Sequence, residues 1–413
     1  MSPGPQHYDV LVAGGGVPGL ALACAVADAL GPQISVAVAD PLPFRAEQGP
    51  TDVRASAISA GSKRMLEVLH VWQAIADQAQ QITRVDITDS RLDDILRPVL
   101  VSYDNTVDGG EPATWIVENG VLAKALREAA GSRHAVTLIG ETSVRAFRTD
   151  AHAVIAELSN GDSASASLLV AADGRNSRLR AAANIGVVGT TYAQIAIVVI
   201  VHHEKPHEGR AVQHFLPGGP FAILPMTGRR SCITWTEDED VGRAIMALDD
   251  AGFLGELEKR FSYRLGAITQ VGPRRAWPLD MHLARALVAD RFALVGDAAH
   301  SVHPIAGQGL NLALRDVAAL AEVVADAARL GLDIGAATTL ERYERWRRAD
   351  SALSAATFDA LNRLFSNTST VPRTVRGIGL GMVERLPALK QAFVTEAAGL
   401  AGDVPKLLRG LSV

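Results

Sequence analysis

Cysteine is nearly missing from this chain. The two present, Cys24 and Cys232, stand far apart with no CxxC spacing. That excludes a disulfide framework, a thiolate zinc site and an iron–sulfur cluster, and suits a reducing compartment. Long apolar runs are also missing. The longest purely apolar run is Ile195 to Val201, and Gly19 to Leu30 is interrupted by Asp28, so nothing approaches the ~20 apolar residues of a membrane-spanning helix. An excess of positive charge is absent too: 40 Lys and Arg stand against 45 Asp and Glu, a net charge of -5. The chain lacks the basic footprint of a nucleic-acid binder, and no nucleic-acid partner is expected. The arm Met1 to Gln6 has no basic stretch and no small-residue cleavage site. The protein therefore reads as cytoplasmic, with any membrane contact peripheral and at the inner face.

What is present has the composition of a folded protein. The 413 residues are 48% hydrophobic and 21% charged, which at ~150 residues per domain predicts two to three domains. Tyr8 to Ala13 reads as a strand, Gly19 to Leu30 as an Ala/Leu-rich helix and Ile34 to Ala39 as a second strand. That order predicts a parallel sheet. A helix over Val121 to Ala129 and a strand over Ser167 to Ala171 extend the same unit. Between Gly186 and Pro278 the pattern changes to strand-like runs separated by turns such as Pro217-Gly218-Gly219-Pro220, which predicts an inserted antiparallel sheet. Arg291 to Val295 returns to the buried-strand pattern, and Leu310 to Ala327 has helical spacing. Thr338 followed by Glu341 suits a capping box for a helix carrying Leu340, Tyr343 and Trp346.

The tail is the basic part, with seven Lys/Arg and three Asp/Glu between Leu361 and Val413. Val375, Ile378, Met382 and Leu386 recur at helical spacing beside Arg373, Arg376 and Arg385, which suits an amphipathic segment lying on an anionic membrane. A docked C-terminal helix is the competing reading, with Gly377, Gly379 and Gly381 weakening any free-standing helix.

Gly14-Gly15-Gly16-Val17-Pro18-Gly19 satisfies GxGxxG between a strand and a helix. Gly14 permits the turn, Gly16 lets a pyrophosphate approach and Gly19 allows close helix packing. The helix start at Val17 and Pro18 supplies amide donors and a positive dipole end. Asp40, 21 positions beyond Gly19, ends the second strand where an acid accepts hydrogen bonds from an adenosine ribose. The pattern predicts a dinucleotide site but does not separate NAD from FAD.

Two further turns follow strands: Ala172-Asp173-Gly174-Arg175-Asn176-Ser177 and Gly296-Asp297-Ala298-Ala299-His300. Together with the glycine fingerprint they resemble the three separated motifs of the class A flavoprotein aromatic monooxygenases, the p-hydroxybenzoate hydroxylase type. The stretch from Gly296 through Pro304, Gly307, Gln308, Gly309, Leu310 and Asn311 to Asp316 is similar to the subgroup that hydroxylates ubiquinone precursors. Asp52 to Ser59, with Arg54, Trp115 to Asn119, and Phe215 to Pro225 match it as well. Two positions depart: Gly120 stands where the subgroup usually has Arg, and His70 where it usually has Gly.

The resemblance implies a Rossmann-like α/β FAD-binding domain from residues 1–75, 105–185 and 276–345. It implies a mainly antiparallel substrate domain from 76–104 and 186–275, and a C-terminal helical region over 346–413. It also implies FAD as cofactor, NADH or NADPH as transient reductant and O2 as co-substrate. One oxygen would pass to a phenol ring through a flavin C4a-hydroperoxide, so the chemistry is flavin-borne and needs no catalytic side chain. Asp173 would lie where FAD and NAD(P)H are handled, and Asp297 at the ribityl side. Implied partners are a polyprenylated phenol and a ubiquinone-biosynthesis protein complex.

Independently of the resemblance, Pro304 stops a helical turn, Gly307 and Gly309 let backbone approach a flat ring, and the helix start near Leu310 suits a negatively charged one. A metal site from Asp297, His300 and His303 is the competing reading, disfavoured because Pro304 disrupts helical presentation. Candidate walls of a substrate pocket are His214, Phe215, Phe221, Pro225, Trp235 and Pro304, each of which also suits a core position. Two other functions compete: hydroxylation of a soluble aromatic acid, with Arg210, Arg229 or Arg230 clamping its carboxylate, and a non-catalytic FAD-binding scaffold.

Overall fold

The computed structural model describes residues 5–44, 54–90, 92, 97–107, 109–261, 263–302, 307–348 and 387–413. Strand Gln6–Ala13 lies at the centre of an eight-stranded sheet, parallel to Ser163–Ala171 on one side and to Val36–Ala39 on the other. Parallel pairing continues outward to Phe292–Leu294 and to Val136–Ile139. Val36–Ala39 reads VAVA with every residue buried, as a parallel strand covered on both faces requires. Helix Val17–Leu30 is buried from Gly19 to Ala27 because it packs against the long helix Gly309–Arg329 as well as the sheet. Its Ala/Leu-rich composition, apolar all round, is what a doubly covered helix needs.

The second sheet has nine strands and includes Val187–His203, Arg210–Leu216, Gly219–Met226 and Arg230–Asp238. Among the described residues each of its joins is antiparallel except one: Arg210–Leu216 runs parallel to Arg84–Asp89. That strand arrives from a distant part of the chain, so no hairpin forces it to turn back. Two helices not singled out in the sequence, Glu239–Met246 and Asp250–Phe261, close one face of this sheet. There Ile245, Phe253, Leu257 and Phe261 pack on Ile197, Val199, Phe221 and Trp235. Burying each such side chain contributes about 1.5–3 kcal/mol.

The opposite face of the second sheet meets a three-stranded sheet of Ala55–Ser59, Thr114–Glu118 and Gln80–Gln81 through Ala57, Ile116 and Ile82. This small sheet fastens the two larger ones together.

One local expectation changes. A helix spans 337–348, which puts Thr338 inside the first turn rather than at a cap. Asp333 organises this start instead: its carboxylate accepts the Gly335 N–H at 2.9 Å and its carbonyl accepts the Thr339 hydroxyl at 3.0 Å. His70, just beyond helix Ala60–Val68, has φ +56°, the left-handed conformation in which glycine is unstrained. That explains the usual glycine there. The C-terminal helix Pro387–Ala397 leads to Leu407 and Leu408, both buried in the main core. Val375, Ile378, Met382, Leu386 and their neighbouring arginines lie outside the described residues. No helix among the described residues is long and apolar enough to cross a membrane.

Candidate functional site

Three distant segments converge at the carboxyl ends of the parallel strands, where open α/β sheets bind ligands. Gly14 has φ +116°, and a Cβ there would meet Ala172 O at 2.3 Å, so the fingerprint loop touches the Asp173 segment. A Cβ on Gly19 would lie 1.9 Å from Gly14 O; the helix is seated against its own loop. Gly16 is different. The nearest atom to a Cβ there is Pro18 Cδ at 3.9 Å, so the space above it is open. The helix beginning at Val17 has no side-chain cap and no acidic residue in its first turn. Uncapped amides under an open glycine fit the pyrophosphate of a dinucleotide. Asp40 is held in place as an acceptor, taking the Gly15 N–H at 2.6 Å and the Leu42 N–H at 2.8 Å.

Gly296 has φ +63°, and a Cβ there would come within 3.2 Å of Pro18 Cγ and Ala313 Cβ. The second aspartate turn thus rests on the first turn of the fingerprint helix. Asp297 is the one exposed residue between Arg291 and His300. Arg180, absent from the sequence reading, ties the two aspartate segments together. It donates to Ala298 O at 2.8 Å and to Arg175 O at 3.2 Å. Burial lowers its guanidinium pKa, with Asp173 opposing. Arg175 in turn donates to Asp280 of the second sheet at 2.9 Å.

Gly307 has φ +61°, and a Cβ there would lie 3.2 Å from Ala57 Cβ. Gln308 donates to Ala397 O at 3.3 Å, and Asn311 donates to Ala57 O at 2.7 Å while accepting the Ser59 N–H. What this segment offers a ligand is therefore its helix start at Gly309 and Leu310, uncapped and without a first-turn acid. Arg54 lies with its guanidinium 5.4 Å from the Trp277 ring centre. His303 and Pro304 lie outside the described residues. His300 is buried and donates to Asp316 at 2.6 Å. No group of three metal-ligating side chains is assembled among the described residues.

The residues named for a pocket wall divide between two faces. Phe221 and Trp235 sit in the core beneath the two covering helices, and Arg260 stacks on Trp235 at 4.2 Å. Strand alternation puts His214 and Pro225 on that same side. His214 shares a 2.6 Å hydrogen bond with Thr88. Its burial, then Arg97 and Arg264, push its pKa down to about 4. Phe215 falls on the opposite face. That face carries half-buried Gln213, Ala222 and Thr234 in one row across three strands, with Leu224 beside them. No sequence periodicity distinguishes the two faces, because both carry apolar and polar side chains.

A family model described as FAD binding domain matches residues 7–355. The ubiquinone hydroxylase UbiL of Rhodospirillum rubrum is 42% identical over 407 residues, covering 98% of this chain and 93% of that protein. The 3-demethoxyubiquinol 3-hydroxylase of Escherichia coli is 34% identical, covering 96% of this chain and 99% of that protein. Among solved structures, p-nitrophenol 4-monooxygenase PnpA from Pseudomonas putida superimposes with a TM-score of 0.80 at 18% identity, covering 96% of this chain and 99% of that one. It shares the fold. With its glycine cradle, its two aspartate turns and these full-length relatives, the chain belongs to the FAD binding domain family and is an FAD-dependent monooxygenase.

Proposed function

We propose that this protein hydroxylates the aromatic ring of a polyprenylated phenol on the way to ubiquinone, with NADH or NADPH as transient reductant and O2 as oxygen donor. The observation that carries the reading is full-length similarity to two proteins named for ubiquinone chemistry, at 42% and 34% identity. FAD, when bound, would supply the redox chemistry of the hydroxylation. The chain's own residues bind and orient. The open backbone at Gly16 and the helix start at Val17 take the pyrophosphate, and Asp40 the adenosine ribose. Asp173 would lie where FAD and NAD(P)H are handled and Asp297 at the ribityl side, and the helix start at Gly309 and Leu310 would hold the flavin ring.

The substrate wall in this reading is the row Gln213, Ala222 and Thr234 with Leu224 and Phe215, on the sheet face that the two helices leave open. Ala222 and Thr234 there leave room for a ring, and Leu224 and Phe215 would line a path for a prenyl tail. A soluble aromatic acid fits less well. Arg210 is paired with buried Asp86 at 2.8 Å, Arg230 with Glu118 at 2.9 Å, and Arg229 donates to Glu204 O. Arg210 and Arg230 are thus engaged in ion pairs, and Arg229 is exposed.

The test is mass spectrometry of quinone lipids in the source organism with this gene deleted. Loss of ubiquinone with accumulation of a prenylated precursor lacking one ring oxygen is expected. Unchanged quinones in a strain without a redundant hydroxylase overturn the proposal.

A further inference from the structure

We infer that Asp316 is a positioning residue for the flavin: its buried carboxylate fastens both ends of the turn that presents Asp297. Asp316 is 0% exposed, and its partners His300 and Arg347 are 2% and 1% exposed. One carboxylate oxygen accepts the Gly296 N–H at 3.0 Å and the His300 Nε2–H at 2.6 Å. The other accepts Arg347 Nε–H at 2.8 Å. Gly296 and His300 bracket Asp297, which alone in this stretch reaches solvent. The strand leading into the turn is held as well, by the Tyr343 hydroxyl donating to Leu294 O at 2.8 Å.

A buried ion pair is a poor device for stability, since well-packed apolar side chains of similar volume do as well or better. It is a good device for direction, because charge-assisted hydrogen bonds are short and angle-dependent. Here both bonds on one oxygen go to the backbone and side chain of a single turn. The turn is also seated against the fingerprint helix, since a Cβ added at Gly296 would lie 3.2 Å from Pro18 Cγ. Burial alone would raise the Asp316 carboxyl, but His300 and Arg347 outweigh it and hold the group below the ordinary range. Asp316 therefore stays an acceptor at neutral pH. Arg347 carries the fastening one step further, into the helix over 337–348, so the seating of that helix and the aim of Asp297 are set by one side chain.

The inference rests on the proposed placement of Asp297 beside FAD, and the experiment separates the two. Full-length Asp297→Ala, His300→Leu and His300→Gln are stripped of FAD. FAD dissociation constants are then measured by flavin fluorescence quenching, and melting temperatures on the apo proteins. Asp297→Ala is expected to weaken FAD binding. His300→Leu, which cannot donate to Asp316, raises the Kd about tenfold, or about 1.4 kcal/mol. His300→Gln keeps an N–H at similar reach and stays within about threefold of wild type. Wild-type FAD affinity in His300→Leu, or equal loss in His300→Leu and His300→Gln tracking their melting temperatures, reduces Asp316 to a packing role and overturns the inference. Wild-type affinity in Asp297→Ala instead removes the placement of Asp297, and the inference falls with it.

Discussion

Replacing Gly19 and Gly16 by Ala, one at a time, separates two tasks performed by the same loop. At Gly19 the new Cβ would lie 1.9 Å from Gly14 O and 3.2 Å from Val12 Cγ1. The nearer atom is backbone and cannot turn aside, so the helix must back away from the strand. Overpacking of this kind costs about 2 kcal/mol, or roughly 2 °C in Tm for a chain of 413 residues. It also moves the helix start away from the phosphates. At Gly16 the new Cβ meets nothing closer than 3.9 Å, and the backbone, with φ -72° and ψ 179°, accepts any residue. The apo protein should keep its Tm or gain about 0.4–1 kcal/mol through the stiffer unfolded chain.

Only the ligand feels the Gly16 methyl. Displacing the pyrophosphate from one amide forfeits a hydrogen bond to a charged group, about 1.5–3 kcal/mol, hence a tenfold or greater rise in FAD Kd. Calorimetry of the apo proteins and FAD titration give the two readouts. The expected pattern is loss of both stability and affinity in Gly19→Ala, and of affinity alone in Gly16→Ala. Wild-type FAD affinity in Gly16→Ala would refute the seating of the pyrophosphate. A Tm as low as that of Gly19→Ala would refute the steric argument.

His214 makes stability depend on pH. Its pKa falls from 6.5 to about 4 on folding, so between those values the unfolded chain binds a proton that the folded chain refuses. Its contribution is complete above pH ~6.5 and is lost as pH falls toward 4, by up to about 3 kcal/mol. Urea midpoints at pH 7 and 4.5 should differ less in His214→Gln than in wild type; parallel profiles would show that another group is responsible. On the proposed substrate wall, Ala222→Phe should abolish hydroxylation while leaving FAD affinity unchanged, whereas its neighbour Phe221→Ala should cost about 3–5 kcal/mol of stability. Full turnover in Ala222→Phe would move the substrate elsewhere. Finally, His70→Gly should stabilise the fold by about 0.5–1 kcal/mol by relieving the left-handed backbone; chemical denaturation showing no gain would mean that the histidine side chain repays its strain.

Local patterns carried much of this molecule. The strand, helix and strand around Gly14 to Gly19 are legible because a turn chemistry, a helix start and two buried strands coincide within forty residues. Both aspartate turns are legible only as a set with that fingerprint. What escaped the sequence was tertiary. Nothing local links His300, Asp316 and Arg347, which meet only after the long helix and the helix over 337–348 have docked. Nor could Phe221 be told from Ala222 as a pocket residue, since that depends on which sheet face Glu239–Met246 and Asp250–Phe261 cover. Phe253, Leu257 and Phe261 recur at helical spacing within Asp250–Phe261, so that helix is legible from periodicity, but the sheet face it covers is not. His70 shows the reverse: a departure from a motif marked a real backbone requirement.

The pairing of Phe292–Leu294 with Ser163–Ala171 has a consequence for biogenesis. Most of the second sheet is encoded between these neighbours, so a ribosome releases the glycine cradle early and the Asp297 turn late. Contacts of such long sequence separation form slowly and leave the partial chain exposed to aggregation and proteolysis. FAD recognises only the finished arrangement, and a ligand selective for the native state draws chains into it by mass action. The expected outcome is that flavin supply during growth changes how much of this enzyme accumulates, and not merely what fraction of it is loaded; equal accumulation in flavin-limited and flavin-replete cells would refute this.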